Sequence, residues 1–161
     1  MGTAVSVMIG QDLGAGDFER AKGDVWKLIA FSVAVAVTMG LLLILTAPLI
    51  PQAYSGVTED VRQTATRLLT VTAFAMPLYA YAHCSYFTLR SGGKTVITFL
   101  FDSGYTWVLS VPLALLMVRV IHADVIVAYA VVEGANLFKC ILGYCFIRSG
   151  SWVQNLTHIA E

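Results

Sequence analysis

An all-α protein embedded in a lipid bilayer is what this sequence predicts. Of its 161 residues 58% are hydrophobic and only 12% charged, with a mean hydropathy of +0.76, well outside the composition of a soluble domain. The run Leu28 to Ile50 has no charged residue. As a helix it is roughly 35 Å long, enough to cross the ~30 Å hydrocarbon layer with some tilt, and no face of it gathers anything more polar than Ser32 and Thr38. Three further runs of comparable length, 68–89, 95–118 and 125–147, are joined by short polar connections. The expected fold is therefore four transmembrane helices plus the end of a fifth, in a single membrane domain over 1–161.

The elements follow in order. Residues 1–10 are apolar and small, yet too few to span, and read as the end of a helix truncated at its start. The stretch lacks a basic leader region, so no secretory signal peptide is expected. Gln11 to Lys27 carries the breakers Gly14 and Gly16 and reads as a loop leading into a short amphipathic segment. The first span, 28–50, closes near Pro48 and Pro51, and the residues through Arg67 form a loop and an interfacial approach helix. The second, 68–89, has Pro77 at its middle, which removes a backbone donor and kinks the helix. RSGGK, Arg90 to Lys94, is a tight basic turn. The third span, 95–118, is interrupted by Asp102, Gly104 and Pro112. The turn RVIHAD precedes the fourth, 125–147, which holds Glu133, Asn136 and Lys139, and 148–161 reads as a polar tail with Trp152 near the membrane interface.

Charge sets the orientation and excludes some partners. One side collects Arg20, Lys22, Lys27, Arg90, Lys94 and Arg148, and the other collects Arg62, Arg67 and Arg119. The bias places the C-terminal tail in the cytoplasm of a multi-pass cell (plasma) membrane protein. On that side the glycosylation sequon at Asn155 is not used. Net charge is zero, which gives no reason to expect nucleic acid as a partner. Cys84, Cys140 and Cys145 sit in apolar runs without metal-ligand spacing. The loop around Gly14 and Gly16 lacks the lysine and hydroxyl of a phosphate cradle. No catalytic or cofactor motif appears.

Charged groups inside a span cost a few kcal/mol each and need a reason. Asp102 lies about 10 Å in from the cytoplasmic start of the third span, and Lys139 at nearly the same depth in the antiparallel fourth, so an ion pair is expected. Glu133 lies closest to the midplane with no evident charged partner. Either it takes up and releases a coupling proton, or it is a carboxyl hydrogen-bonded to Asn136 or Tyr129 on its own face. His83, beside Tyr79, Tyr81 and Tyr86, lines a cation path or is simple packing.

IGQDLGAGDFERAKGD, LRSGGKT followed by FDSGYTWVLSVPLA, and SGSW after the last span together resemble the multidrug and toxic compound extrusion (MATE) family in order and spacing across the whole chain. The resemblance implies the last third of such a transporter: the end of helix eight and helices nine to twelve, part of the C-terminal lobe of a twelve-helix protein. It implies efflux of organic cations driven by protons or sodium, with the lipid bilayer and the missing N-terminal lobe as partners. A lipid-linked saccharide flippase of the same superfamily, or a non-transporting membrane fragment, is the alternative.

Overall fold

A computed structural model describes residues 2–153. The chain forms helices α1 (Gly2–Gly14) and α2 (Phe18–Thr46), a short 3₁₀ turn at Pro51–Ala53, and helix α3 (Glu59–Ser91). Helices α4 (Thr95–Val120) and α5 (Val125–Ser149) complete it. By length and composition α2, α4 and α5 can each cross a membrane. Helix α3 contains the second expected span and is long enough to cross, but its five threonines and its charged first turns make it more polar than the others.

Packing explains that polarity. Helix α3 lies at the centre, against α1, α2 and α5, so its hydroxyls face protein. The aliphatic hydroxyls are satisfied within the helix: Thr66, Thr70, Thr72, Ser85 and Thr88 each donate to the carbonyl four residues back at 2.8–3.0 Å, as hydroxyls do where no water is available, whereas the buried Tyr81 hydroxyl has no partner among the described residues. The outer helices instead turn apolar side chains away from the protein, among them Phe31 and Leu45 on α2, Trp107 and Val108 on α4, and Leu137 and Ile141 on α5. A surface of that kind is suited to acyl chains.

Close approach between α2 and α3 depends on a small residue. A Cβ on Gly40 would lie 2.8 Å from the Ala73 carbonyl oxygen. That carbonyl is the one Pro77 cannot serve, because proline has no N–H for the residue four back. Small residues at such crossings let backbones meet where apolar burial from water supplies no drive.

Several boundaries differ from the sequence expectation. The loop after Gly14 is only three residues long, and α2 begins at Phe18, ten residues before the apolar run. Ion pairs explain the extension: Asp24 sits 2.8 Å from Lys27 and 3.7 Å from Arg20, and Arg20 lies 3.8 Å from Asp12 of α1. Asp102, Gly104 and Pro112 do not break α4. Asp102 and Gly104 fall in a stretch of wider π-helical turns at Leu100–Gly104, and Pro112 in the regular α-helical segment Val111–Leu115 between two more, Thr106–Ser110 and Leu116–Val120; wider turns of this kind absorb irregularities without ending a helix.

The burial of Trp152 is the feature least visible in the sequence. Trp152 is 1% exposed and packs in a core with Val5, Ile9 and Leu13 of α1, Val25 of α2 and Leu89 of α3. Helix α5 ends at Gly150 in the left-handed region (φ +66°), a conformation glycine adopts without penalty. The reversal carries Trp152 back over the bundle, where its indole Nε1 donates to the Ile147 carbonyl at 3.0 Å. Gly92 of the RSGGK turn sits directly under the Trp152 backbone with no room for a Cβ. The sequon at Asn155 and the rest of the tail lie outside the described residues.

Replacing Trp152 with alanine should lower the unfolding free energy in mixed micelles by about 3 kcal/mol, the usual cost of emptying a buried tryptophan site. Trp107→Ala, at a side chain 72% exposed, should change it by less than about 0.5 kcal/mol. Equal losses would mean that Trp152 does not hold the bundle end.

Candidate functional site

Helix α5 buries Glu133, Cys140 and Ile147, spaced seven apart, together with Gly143. Seven residues are close to two helical turns, so these positions form one stripe facing α3. Glu133 is therefore carried into the protein rather than into lipid, and is 6% exposed. Two donors meet it. The Tyr79 hydroxyl of α3 donates to Oε1 at 2.8 Å, and Asn136 Nδ2 donates to Oε2 at 3.2 Å. Of the two same-helix partners considered from sequence, Asn136 is present, whereas Tyr129 pairs instead with Thr72 across the interface at 3.0 Å. Cys140 adds a thiol bond to the Leu78 carbonyl at 3.4 Å. Phe74, Leu78 and Ala130 help enclose a recess of about 290 Å³ beside the carboxylate.

Tyr79 also lines a second space. Helices α1, α2 and α3 enclose a groove of about 490 Å³ bordered by Ser32, Met39, Met76, Tyr79, His83 and Phe87, among others. His83 is exposed to this groove, with its ring 5.6 Å from that of Phe87. No lysine, arginine, aspartate or glutamate borders it among the described residues. Tyr79 and His83 lie one turn apart on α3 and share this wall. His83 has no hydrogen bond to Glu133 or Tyr79 among the described residues, so Tyr79 alone links groove and carboxylate.

Asp102 and Lys139 meet at 2.6 Å, between α4 and α5. Lys139 is largely covered, its side chain 14% exposed, while Asp102 is 57% exposed. The ammonium also lies 5.3 Å from the Phe101 ring centroid and 5.5 Å from that of Tyr105. Two aromatic faces and one carboxylate thus compensate a cation taken from water.

The MatE family model matches residues 1–116. The chain belongs to the MATE family. No curated protein and no solved structure is significantly similar to it. The MATE family is one of membrane transporters, in keeping with the apolar helices. Within the matched MATE segment lie Tyr79, His83 and Asp102, while Glu133, Asn136 and Lys139 follow it in α5. Each cross-helix contact of the site therefore joins a residue of the matched segment to one of the last helix.

The Tyr79–Glu133 bond went unread in the sequence. Its signal was depth: α3 and α5 run in the same direction, and the contacts Thr72–Tyr129 and Leu78–Cys140 show a nearly constant offset along both. Equal depth in parallel spans nominates such pairs, but rotation about each helix axis decides among them.

Tyr79→Phe should destabilise the fold by about 1–3 kcal/mol, because it leaves one carboxylate oxygen without its donor. In a double-mutant cycle with Asp102→Asn and Lys139→Gln, the coupling should be on the order of 1 kcal/mol. The exposure of Asp102 keeps that figure at the low end through screening. Strict additivity would show that the two charges do not support one another.

Proposed function

We propose that this chain forms part of the C-terminal lobe of a twelve-helix efflux antiporter that exchanges organic cations for protons or sodium. In this reading α2, α3, α4 and α5 are the four spans, α1 is the end of a fifth, and the C-terminal tail is cytoplasmic in the plasma membrane. The missing N-terminal lobe supplies the facing wall of the cavity, and rocking of the lobes alternates access.

The observation that carries the proposal is the double position of Tyr79, on the groove wall and on the buried Glu133. An ionised Glu133 accepts from both Tyr79 and Asn136. When Glu133 is protonated, its own O–H becomes a donor and competes with the tyrosine hydroxyl for the same space. If the acid donates to the Tyr79 oxygen, the tyrosine O–H is released to turn toward the groove. The protonation state of a buried carboxyl is thereby conveyed to a surface that organic cations touch. The groove itself, with Tyr79, His83, Phe87 and two methionines but no fixed positive charge among the described residues, suits a lipophilic cation. An anionic saccharide headgroup would call for free basic residues, and Lys139 is already held by Asp102, which counts against the flippase alternative.

Ethidium efflux from an efflux-deficient bacterial strain tests the reading. The chain joined to the N-terminal portion of a MATE transporter should export ethidium, and the chain alone should not. In the joined protein Glu133→Gln should reduce pH-dependent efflux by about tenfold or more at unchanged expression, a typical coupling between two sites. Unaltered efflux and pH response would remove Glu133 from the mechanism. No efflux from either protein, with both found in the membrane, would refute drug export.

A further inference from the structure

Where α2 gives way to α3, two pockets of opposite character meet at one arginine. The first, about 580 Å³, is an almost wholly apolar slot between the loop after α2 and the starts of α3 and α5, bordered by Ile50, Val61, Leu68, Leu69 and Val125. The second, about 640 Å³, is polar and is bordered by Gln52, Glu59, Gln63, Thr66 and Arg67. Arg62 borders both.

The arginine is incompletely compensated. Its Nη2 donates to the Tyr54 carbonyl at 3.3 Å, and its Nη1 lies 3.8 Å from Glu59, whose side chain is 70% exposed. Its Nε is buried and has no hydrogen-bond partner, a costly state for a charged donor. Arg67 makes no ion pair or hydrogen bond among the described residues. Two guanidinium groups against one carboxylate leave the polar pocket with net positive charge, and guanidinium forks are well shaped for phosphate oxygens. The slot next to it can be reached from the lipid side past Ile50, Val61 and Val125, all exposed.

We infer that this pair of pockets binds an anionic phospholipid, with its phosphate held by Arg62 and Arg67 and one acyl chain in the slot between α3 and α5. Charge complementarity selects this occupant over a neutral lipid, since basic pockets between membrane helices recognise anionic headgroups. The chain in the slot fills the space beside the Thr72–Tyr129 contact. The lipid thus ties the 47–58 loop and α3 to α5 at the end of the bundle opposite Trp152.

Native mass spectrometry of the full chain in detergent, with equimolar dioleoylphosphatidylglycerol and dioleoylphosphatidylcholine, tests this. The wild type should retain the glycerol lipid about thirtyfold over the choline lipid, the factor expected from about 1 kcal/mol for each of the two arginines. Arg62→Gln should lower the ratio to about fivefold, the share left to Arg67. Arg62→Lys, which keeps the charge, should preserve most of the preference and so controls for misfolding. Ala65→Leu, which narrows the slot, should lower retention of the glycerol lipid severalfold with both arginines intact. Parity in the wild type, an unchanged ratio in Arg62→Gln, or unchanged retention in Ala65→Leu would overturn the inference. So would displacement of the lipid by equimolar glycerol phosphate, which would identify a site for the headgroup alone.

Discussion

Inside a bilayer a polar group must find its partner within the protein, and α3 is where this chain meets that constraint most severely. A helix with five threonines, a mid-helix proline and several tyrosines is poorly suited to face lipid on all sides. It is accommodated because α1, α2 and α5 surround it. Its threonine and serine hydroxyls bond back to its own carbonyls, its proline-freed carbonyl is approached by Gly40, and Tyr79 reaches across to Glu133. The apolar surplus is carried by the outer helices. The arrangement reverses that of a soluble protein while obeying the same rule about unsatisfied polar groups.

The buried charges follow from the same constraint but are handled differently. Glu133 is met by neutral donors, a tyrosine hydroxyl and an asparagine amide. Lys139 has a full carboxylate at 2.6 Å and two aromatic rings, and removing either partner strands the other. The first arrangement joins α5 to α3 through neutral hydrogen bonds, the second joins it to α4 through charge. Helix α4, which meets the rest of the fold chiefly through that pair and short contacts with α3 and α5, depends on such an anchor more than the central helices do.

The two ends of the bundle also differ. At one, Trp152 closes a continuous core of α1, α2 and α3 side chains under a left-handed glycine turn. At the other, open pockets surround Arg62, and loop 47–58 has few buried side chains. The closed end is built from ordered turns and small loops, and the open end from a longer connection whose charge is unbalanced.

What the sequence determined by itself is the part that depends on one-dimensional spacing. Apolar run length is tied to membrane thickness by a fixed rise per residue, so the helical class, the turns at Gly16 and RSGGK, and the common depth of Asp102 and Lys139 could all be counted along the chain. Rotation and neighbourhood could not. Whether Glu133 faces lipid or Tyr79 depends on the phase of α5 relative to α3, which close packing of Gly143 against Ser85 helps to set, rather than on local pattern. The burial of Trp152 was hidden for a similar reason: its polar surroundings in sequence give no sign of a core, but Gly150 turns it inward, and only the folded bundle provides the core that receives it. Tertiary structure decided which polar groups meet because, in a medium without water, satisfaction depends on which helix lies opposite.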